Sequence, residues 1–288
     1  MPDVSNWSGH TAYSDPGPYR PLLLAVPDHL SDLCTAARNV IGHYRAELPE
    51  LPASRRSEID SRWLDCILRT DQARHPFPLL APRPPTDRVA GCCRDHSLFV
   101  VGALRARNIP ARTRVGFASY LVPDYRVDHV VVEFWAGGRW RRADPEIAPG
   151  SVDFDPEDMS SGIGSPFRTA AEAWDGYRRG LIRPERHCVF PGSELSGPDL
   201  VRAYVVIEVA HRYGDEMLLW DRWGDAAYQS DDAVIDRLTE LLLSADSGEE
   251  AAEDELAVRY RNDARLHPGT TVSQYSPFGD PAMSVRLR

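Results

Sequence analysis

Gly91-Cys92-Cys93-Arg94-Asp95-His96-Ser97 leads into the apolar run Leu98-Phe99-Val100-Val101-Gly102-Ala103-Leu104. A stretch of this length and composition reads as a buried helix over residues 91–107. Asn108 sits where a left-handed C-terminal cap belongs, and Pro110 stops the helix from continuing. Cys93 therefore falls at the helix start, where unpaired amides and the positive end of the dipole favour negative charge. That position is expected to lower the thiol pKa toward the reactive thiolate. Taken alone, Cys92 and Cys93 read equally well as small buried residues.

Downstream, residues 112–120 alternate in strand fashion, and residues 128–135 and 139–143 form a hairpin around Gly137-Gly138. A two-residue turn there pairs Trp135 with Trp140, Glu133 with Arg142, and Val131 with Asp144. His129 then lies one pair further along, on the face of Asp144. Diagonal neighbours of this kind are about 7–8 Å apart at the backbone, within side-chain reach. A three-residue loop without a bulge would turn Asp144 to the opposite face. Asp128 points to the other face and is not given the acid's role. A histidine among valines is commonly a satisfied half-buried residue, and an aspartate before Pro145 is commonly a turn former. Together with the thiol they supply what cysteine acyl-transfer chemistry needs: a nucleophile, a base, and an acid that orients the base.

The chain has 288 residues, 42% of them hydrophobic, which suffices for one large domain or for a core with an extension. A net charge of −10 argues against a nucleic-acid partner. No apolar run reaches the ~18 residues that cross a bilayer. Met1-Pro2-Asp3-Val4-Ser5-Asn6-Trp7 lacks the basic start and apolar stretch of a secretory signal, so a cytoplasmic location is expected. Five scattered cysteines form no disulfide framework and fit a reducing compartment.

Residues 1–60 read as an arm and a helix packed on the core, 61–150 as the core, 151–266 as a mainly helical extension, and 267–288 as an irregular tail. Helical patterns run over about residues 29–45, from Ile59 through Leu68 to before His75, and over 169–180, 196–212, 218–228 and 231–245. The acidic stretch from Glu249 to Glu255 opens one more helix. The proline-rich run 76–85 is a loop delivering the chain to the cysteine motif.

Gly91-Cys92-Cys93-Arg94-Asp95, then Asn108-Ile109-Pro110-Ala111-Arg112, His129 to Glu133, Gly137-Gly138, Trp140 and Asp144-Pro145 resemble the ordered motifs of the transglutaminase-like superfamily, whose core is papain-like. The likeness spans roughly residues 70–147. It implies an α+β fold with the cysteine on a central helix against an antiparallel sheet, and helical N- and C-terminal additions. It assigns the nucleophile to Cys93, the general base to His129 and the orienting acid to Asp144. Asn108 stands where the family has glycine, and Cys92 is an additional thiol without an assigned role.

The implied activity is acyl transfer on an amide or thioester through a Cys93 acyl-enzyme, making the protein an amidase or peptidase when water resolves it and an acyltransferase when an amine does. The alternative is a non-catalytic member of the fold that uses the groove for binding. Partners are a small-molecule or peptide acyl donor and, for transfer, an amine acceptor, with no nucleic acid and no membrane. No cofactor is called for, and no metal: Cys92, Cys93 and His96 are poorly spaced for zinc. Gln72 is a candidate oxyanion donor, while Arg112 and Arg114 are candidates for an acidic substrate group, weighed against a solvated basic strand. Arg94 and Asp95 are expected to serve helix electrostatics or local salt bridges.

Overall fold

The computed structural model describes residues 4–224 and 231–288. The N-terminal segment supplies α1 (Arg20–Leu24), α2 (Leu30–Val40) and a short strand β1 (Ile41–His43), then α3 (Leu64–Arg74). Strand β2 (Val89–Gly91) runs straight into α4 (Cys93–Arg105), every residue of which is buried. Asn108 closes α4 in the left-handed region, with φ 58°, as its sequence position predicts. Strands β3 (Ala111–Ala118), β4 (Arg126–Ala136) and β5 (Arg139–Ala143) follow as an antiparallel meander.

Gly137 and Gly138 both take positive φ, 61° and 78°, as a two-residue hairpin with the correct twist requires. The resulting register pairs Trp135 with Trp140 and Glu133 with Arg142, as the sequence predicts. The loop 145–165 leads to β6 (Phe167–Thr169) and α5 (Ala170–Arg178), whose start is fixed by a capping box between Thr169 and Glu172. Then come β7 (His187–Cys188), α6 (Gly197–Arg212), β8 (Asp221–Arg222), α7 (Asp232–Asp246), α8 (Glu250–Asn262), β9 (Thr271–Gln274) and β10 (Met283–Arg286).

The central sheet has the order β5-β4-β3-β6, and β7 pairs in parallel with the first residues of β4. The fold is α+β, with α4 packed on β3 and β4. Residues 151–266 are mainly helical, as expected, although β6 and β7 complete the central sheet and the helices share one continuous apolar cluster with α4. Two expectations need correction. Residues 267–288 are not irregular: β9 pairs with both β10 and β8. The helix expected over 218–228 is a turn and strand β8 up to residue 224, and 225–228 lie outside the described residues. Period-2 patterns of two to four residues are too short to stand out in a sequence.

Gly116 sits opposite His129 on β4 and Thr169 on β6. A Cβ at Gly116 would fall 1.9 Å from the Arg168 carbonyl oxygen, so only glycine lets β6 approach there. Among the described residues no helix is long and apolar enough to cross a membrane.

Candidate active site

Three local devices set the position of Cys93. The Asp95 carboxylate accepts the Cys92 backbone N–H at 2.9 Å, capping the helix at its first turn. Arg94 pairs with Asp95 at 2.9 Å, the local salt bridge that is one of the two roles expected of them. One turn in from Cys93, the Ser97 hydroxyl donates to the Val130 carbonyl at 2.8 Å. That bond ties the start of α4 to β4 beside His129. Strand β1 pairs in parallel with β2, and the Tyr44 amide donates to the Gly91 carbonyl, so the N-terminal segment also borders the cysteine pair.

On β4, His129 lies in a gap of the sheet edge. Strand β5 pairs with 132–136 and β7 with 126–127, leaving 128–131 without a ladder partner on that side. Asp144, just past β5, fills this gap. His129 Nε2 meets Asp144 Oδ2 at 2.8 Å, and both residues are 1% exposed. The tertiary structure therefore joins two of the three residues singled out from the sequence. Nδ1 makes no hydrogen bond among the described residues. Cys93 and His129 feel the same two carboxylates, Asp128 and Glu146, and Tyr120 feels both Cys93 and Asp144.

The electrostatics differ from one expectation. The Cys93 thiol is not lowered; its hydrogen bond with Cys92 and its burial hold it well above the ordinary thiol range. The helix tip favours the thiolate, but a neighbouring thiol and a dry environment outweigh it. Burial works against charge on His129 as well, yet the Asp144 carboxylate raises its pKa overall. Burial likewise opposes ionisation of Asp144, but His129, Tyr120 and the Glu146 amide keep its pKa low. The result is a buried resting thiol at the tip of α4 and, on β4, an imidazole made more basic by a fixed anion.

Tyr120 was not foreseen. Its hydroxyl donates to Asp144 Oδ2 at 2.6 Å, and its ring stands edge-on to His129 at 6.0 Å. Its place just beyond β3 was readable from the sequence, but not the direction of the phenol. Asp128, excluded as the acid, accepts from the Tyr204 hydroxyl of α6 at 2.6 Å, which keeps it off the imidazole ring nitrogens.

The other candidates are engaged elsewhere. Both amide hydrogens of Gln72 are engaged, by Asp71 at 2.8 Å and the Phe77 carbonyl at 3.1 Å, so no donor is left for an oxyanion. Arg112 and Arg114 do not form a solvated strand; they are 2% and 1% exposed. Arg112 pairs with Glu133 and Asp246, and Arg114 with Glu133, Glu208 and Asp246. These buried pairs bolt α6 and α7 to the sheet. The ring nitrogens of His96 face the Cys92 and Ile41 carbonyls at 3.0 and 3.2 Å, a core role rather than a ligand's.

Residues 67–145 match the model of the transglutaminase-like superfamily. This segment belongs to that superfamily. Cys93, His129 and Asp144 all fall inside the transglutaminase-like segment. No curated protein matches the chain. A solved structure of a candidate cysteine protease from Cytophaga hutchinsonii aligns at 20% identity with a TM-score of 0.34. The alignment takes in 50% of the present chain and 42% of the other, so this chain spans less than half of that protein's length. Residues beyond 145 lie outside the transglutaminase-like match, although β6 and β7 complete its sheet.

Proposed function

We propose that this protein performs cysteine-dependent acyl transfer. The Cys93 proton passes to His129 Nδ1, and the sulfur attacks the carbonyl carbon of an amide or thioester. The carbonyl oxygen takes the charge, facing the Cys93 backbone N–H, which at the first helical position has no acceptor within the helix. The tetrahedral centre then collapses: the C–N or C–S bond breaks and His129 returns the proton to the departing amine or thiol. A thioester on Cys93 remains. Water resolves it in an amidase or peptidase, an amine in an acyltransferase, and either restores the thiol. Asp144 holds His129 by Nε2, and Tyr120 holds Asp144. All five cysteines are free thiols, which fits a reducing compartment and a cytoplasmic location.

The observation that carries this reading is the 2.8 Å contact between His129 and Asp144 on the strand that Ser97 ties to the Cys93 helix. A base is thus oriented and made more basic on the strand that is joined to the helix carrying the buried thiol. Iodoacetamide at neutral pH, read by mass spectrometry, tests it. Cys93 should be alkylated faster than the more exposed Cys66, and His129→Ala should slow Cys93 alone, by roughly 10²–10⁴-fold for loss of a general base. Labelling that follows exposure, with Cys66 first and no response to His129→Ala, would leave a non-catalytic binding fold. Adducts on Cys93 after incubation with amide and thioester donors would identify the acyl group.

A further inference from the structure

A cavity of about 1080 Å³ lies away from Cys93, between the N-terminal segment, the β4–β5 hairpin and the α7–α8 connection. None of Cys93, His129 or Asp144 lines it. Its volume suits a small organic molecule. Trp7, Trp135 and Trp140 contribute aromatic walls, packed edge to face at 5.5 and 5.6 Å. Arg112 lies against two of these rings, 4.3 Å from Trp140 and 4.9 Å from Trp7.

Two donors in this cavity have no acceptor. Arg112 is 2% exposed; its Nε and Nη2 both donate to Glu133 Oε2, while its Nη1 is buried and makes no hydrogen bond. Arg142 is 5% exposed; its Nη1 reaches Glu172, its Nη2 reaches Glu133 Oε1, and its Nε is buried without a partner. Both arginines are anchored on one carboxylate, Glu133, Arg112 through Oε2 and Arg142 through Oε1. A buried donor without an acceptor is destabilising, and buried polar groups in native proteins are almost always satisfied. Three of the lining acids are already engaged: Glu133 by three arginines, Asp246 by Arg112, Arg114 and Arg212, and Glu253 by Arg212 and Tyr213. Burial and the neighbouring Arg212 pull the Arg112 pKa down to about 10, against the upward pull of Glu133 and Asp246.

We propose that this cavity binds a small monocarboxylate with a flat aromatic body, its carboxylate accepting from Arg112 and Arg142 and its ring lying against the tryptophans. The mouth selects against larger anions. Glu249, Glu250 and Asp254 are exposed there, and repel a phosphate ester or a polycarboxylate more strongly than a singly charged acid. This inference stands independently of the acyl-transfer reading, because its readout is binding.

The test titrates the full-length protein with indole-3-acetate, its neutral amide indole-3-acetamide, benzoate and inorganic phosphate, followed by calorimetry and tryptophan fluorescence. Indole-3-acetate should quench fluorescence and bind at least about tenfold tighter than the amide, with phosphate weaker than either carboxylate. Arg112→Lys should abolish the preference of acid over amide, and Trp140→Leu should weaken both ligands together. If Arg112→Lys fails to fold, Arg142→Lys keeps a cation near Glu133, removes Nε and should reduce the same preference. Equal binding of acid and amide, phosphate binding tightest, no binding of any carboxylate below ~10 mM, or acid binding that ignores these substitutions would each overturn the proposal.

Discussion

Replacing Tyr120 with phenylalanine removes one oxygen and leaves the ring that packs beside His129 and, at 5.0 Å, against Phe154. The lost hydroxyl donates at 2.6 Å to Asp144 Oδ2, which also receives His129 Nε2. Asp144 is 1% exposed, so water does not readily replace the donor. A hydrogen bond to a buried charge contributes about 1.5–3 kcal/mol, and Tyr120→Phe is expected to lose that much in urea unfolding. The measurement belongs at about pH 6, from the signs of the two perturbed groups. Asp144 has a depressed pKa, so its contribution is complete above the unfolded carboxylate value near ~3.9 and fades as pH falls through the folded one. His129 has a raised pKa, so its contribution is complete below the unfolded value near ~6.5 and fades as pH rises through the folded one. With Tyr120 gone, the undivided Asp144 carboxylate should pull harder on the imidazole proton. Nitrogen-15 NMR of labelled histidine should then show His129 titrating at higher pH than in the parent, with the neutral ring protonated on Nε2. A lower or unchanged titration, or an unaltered urea midpoint, would refute the shared-carboxylate account.

Two further outcomes follow from the same neighbourhood. Burial pushes Asp128 up to about 6, with the Tyr204 hydroxyl only partly offsetting it, so the cost of its charge sets in above the unfolded carboxylate value near ~3.9 and is complete once the pH passes about 6. Asp128→Asn should therefore match the parent's stability near pH 4 and exceed it above pH 7. The gain, discounted for partial exposure, is about 1–2 kcal/mol by urea denaturation; an equal gain at both pH values would sink the argument. Gly116→Ala should destabilise by about 1–3 kcal/mol, because its Cβ meets the Arg168 carbonyl and β6 must shift. An unchanged unfolding midpoint would show that β6 yields freely.

The central motif was legible because its signals are local. A helix-length apolar run, asparagine at a cap, a glycine pair between two strand patterns and the period-2 alternation each constrain backbone geometry within a few residues. Residue parity then puts His129 and Asp144 on one face without any knowledge of the rest. The remainder depends on contacts between distant segments. Strands β1, β6 and β7 are two or three residues long and exist because a neighbour supplies their hydrogen bonds. Arg112 and Arg114 look like solvated strand residues until α6 and α7 bring Glu208 and Asp246 over them. The Cys93 thiol illustrates the division: its place at a helix tip is written in the sequence and favours the thiolate. Its dryness and its bond to Cys92 arise only when the chain closes around it, and desolvation in a packed interior outweighs a terminal dipole.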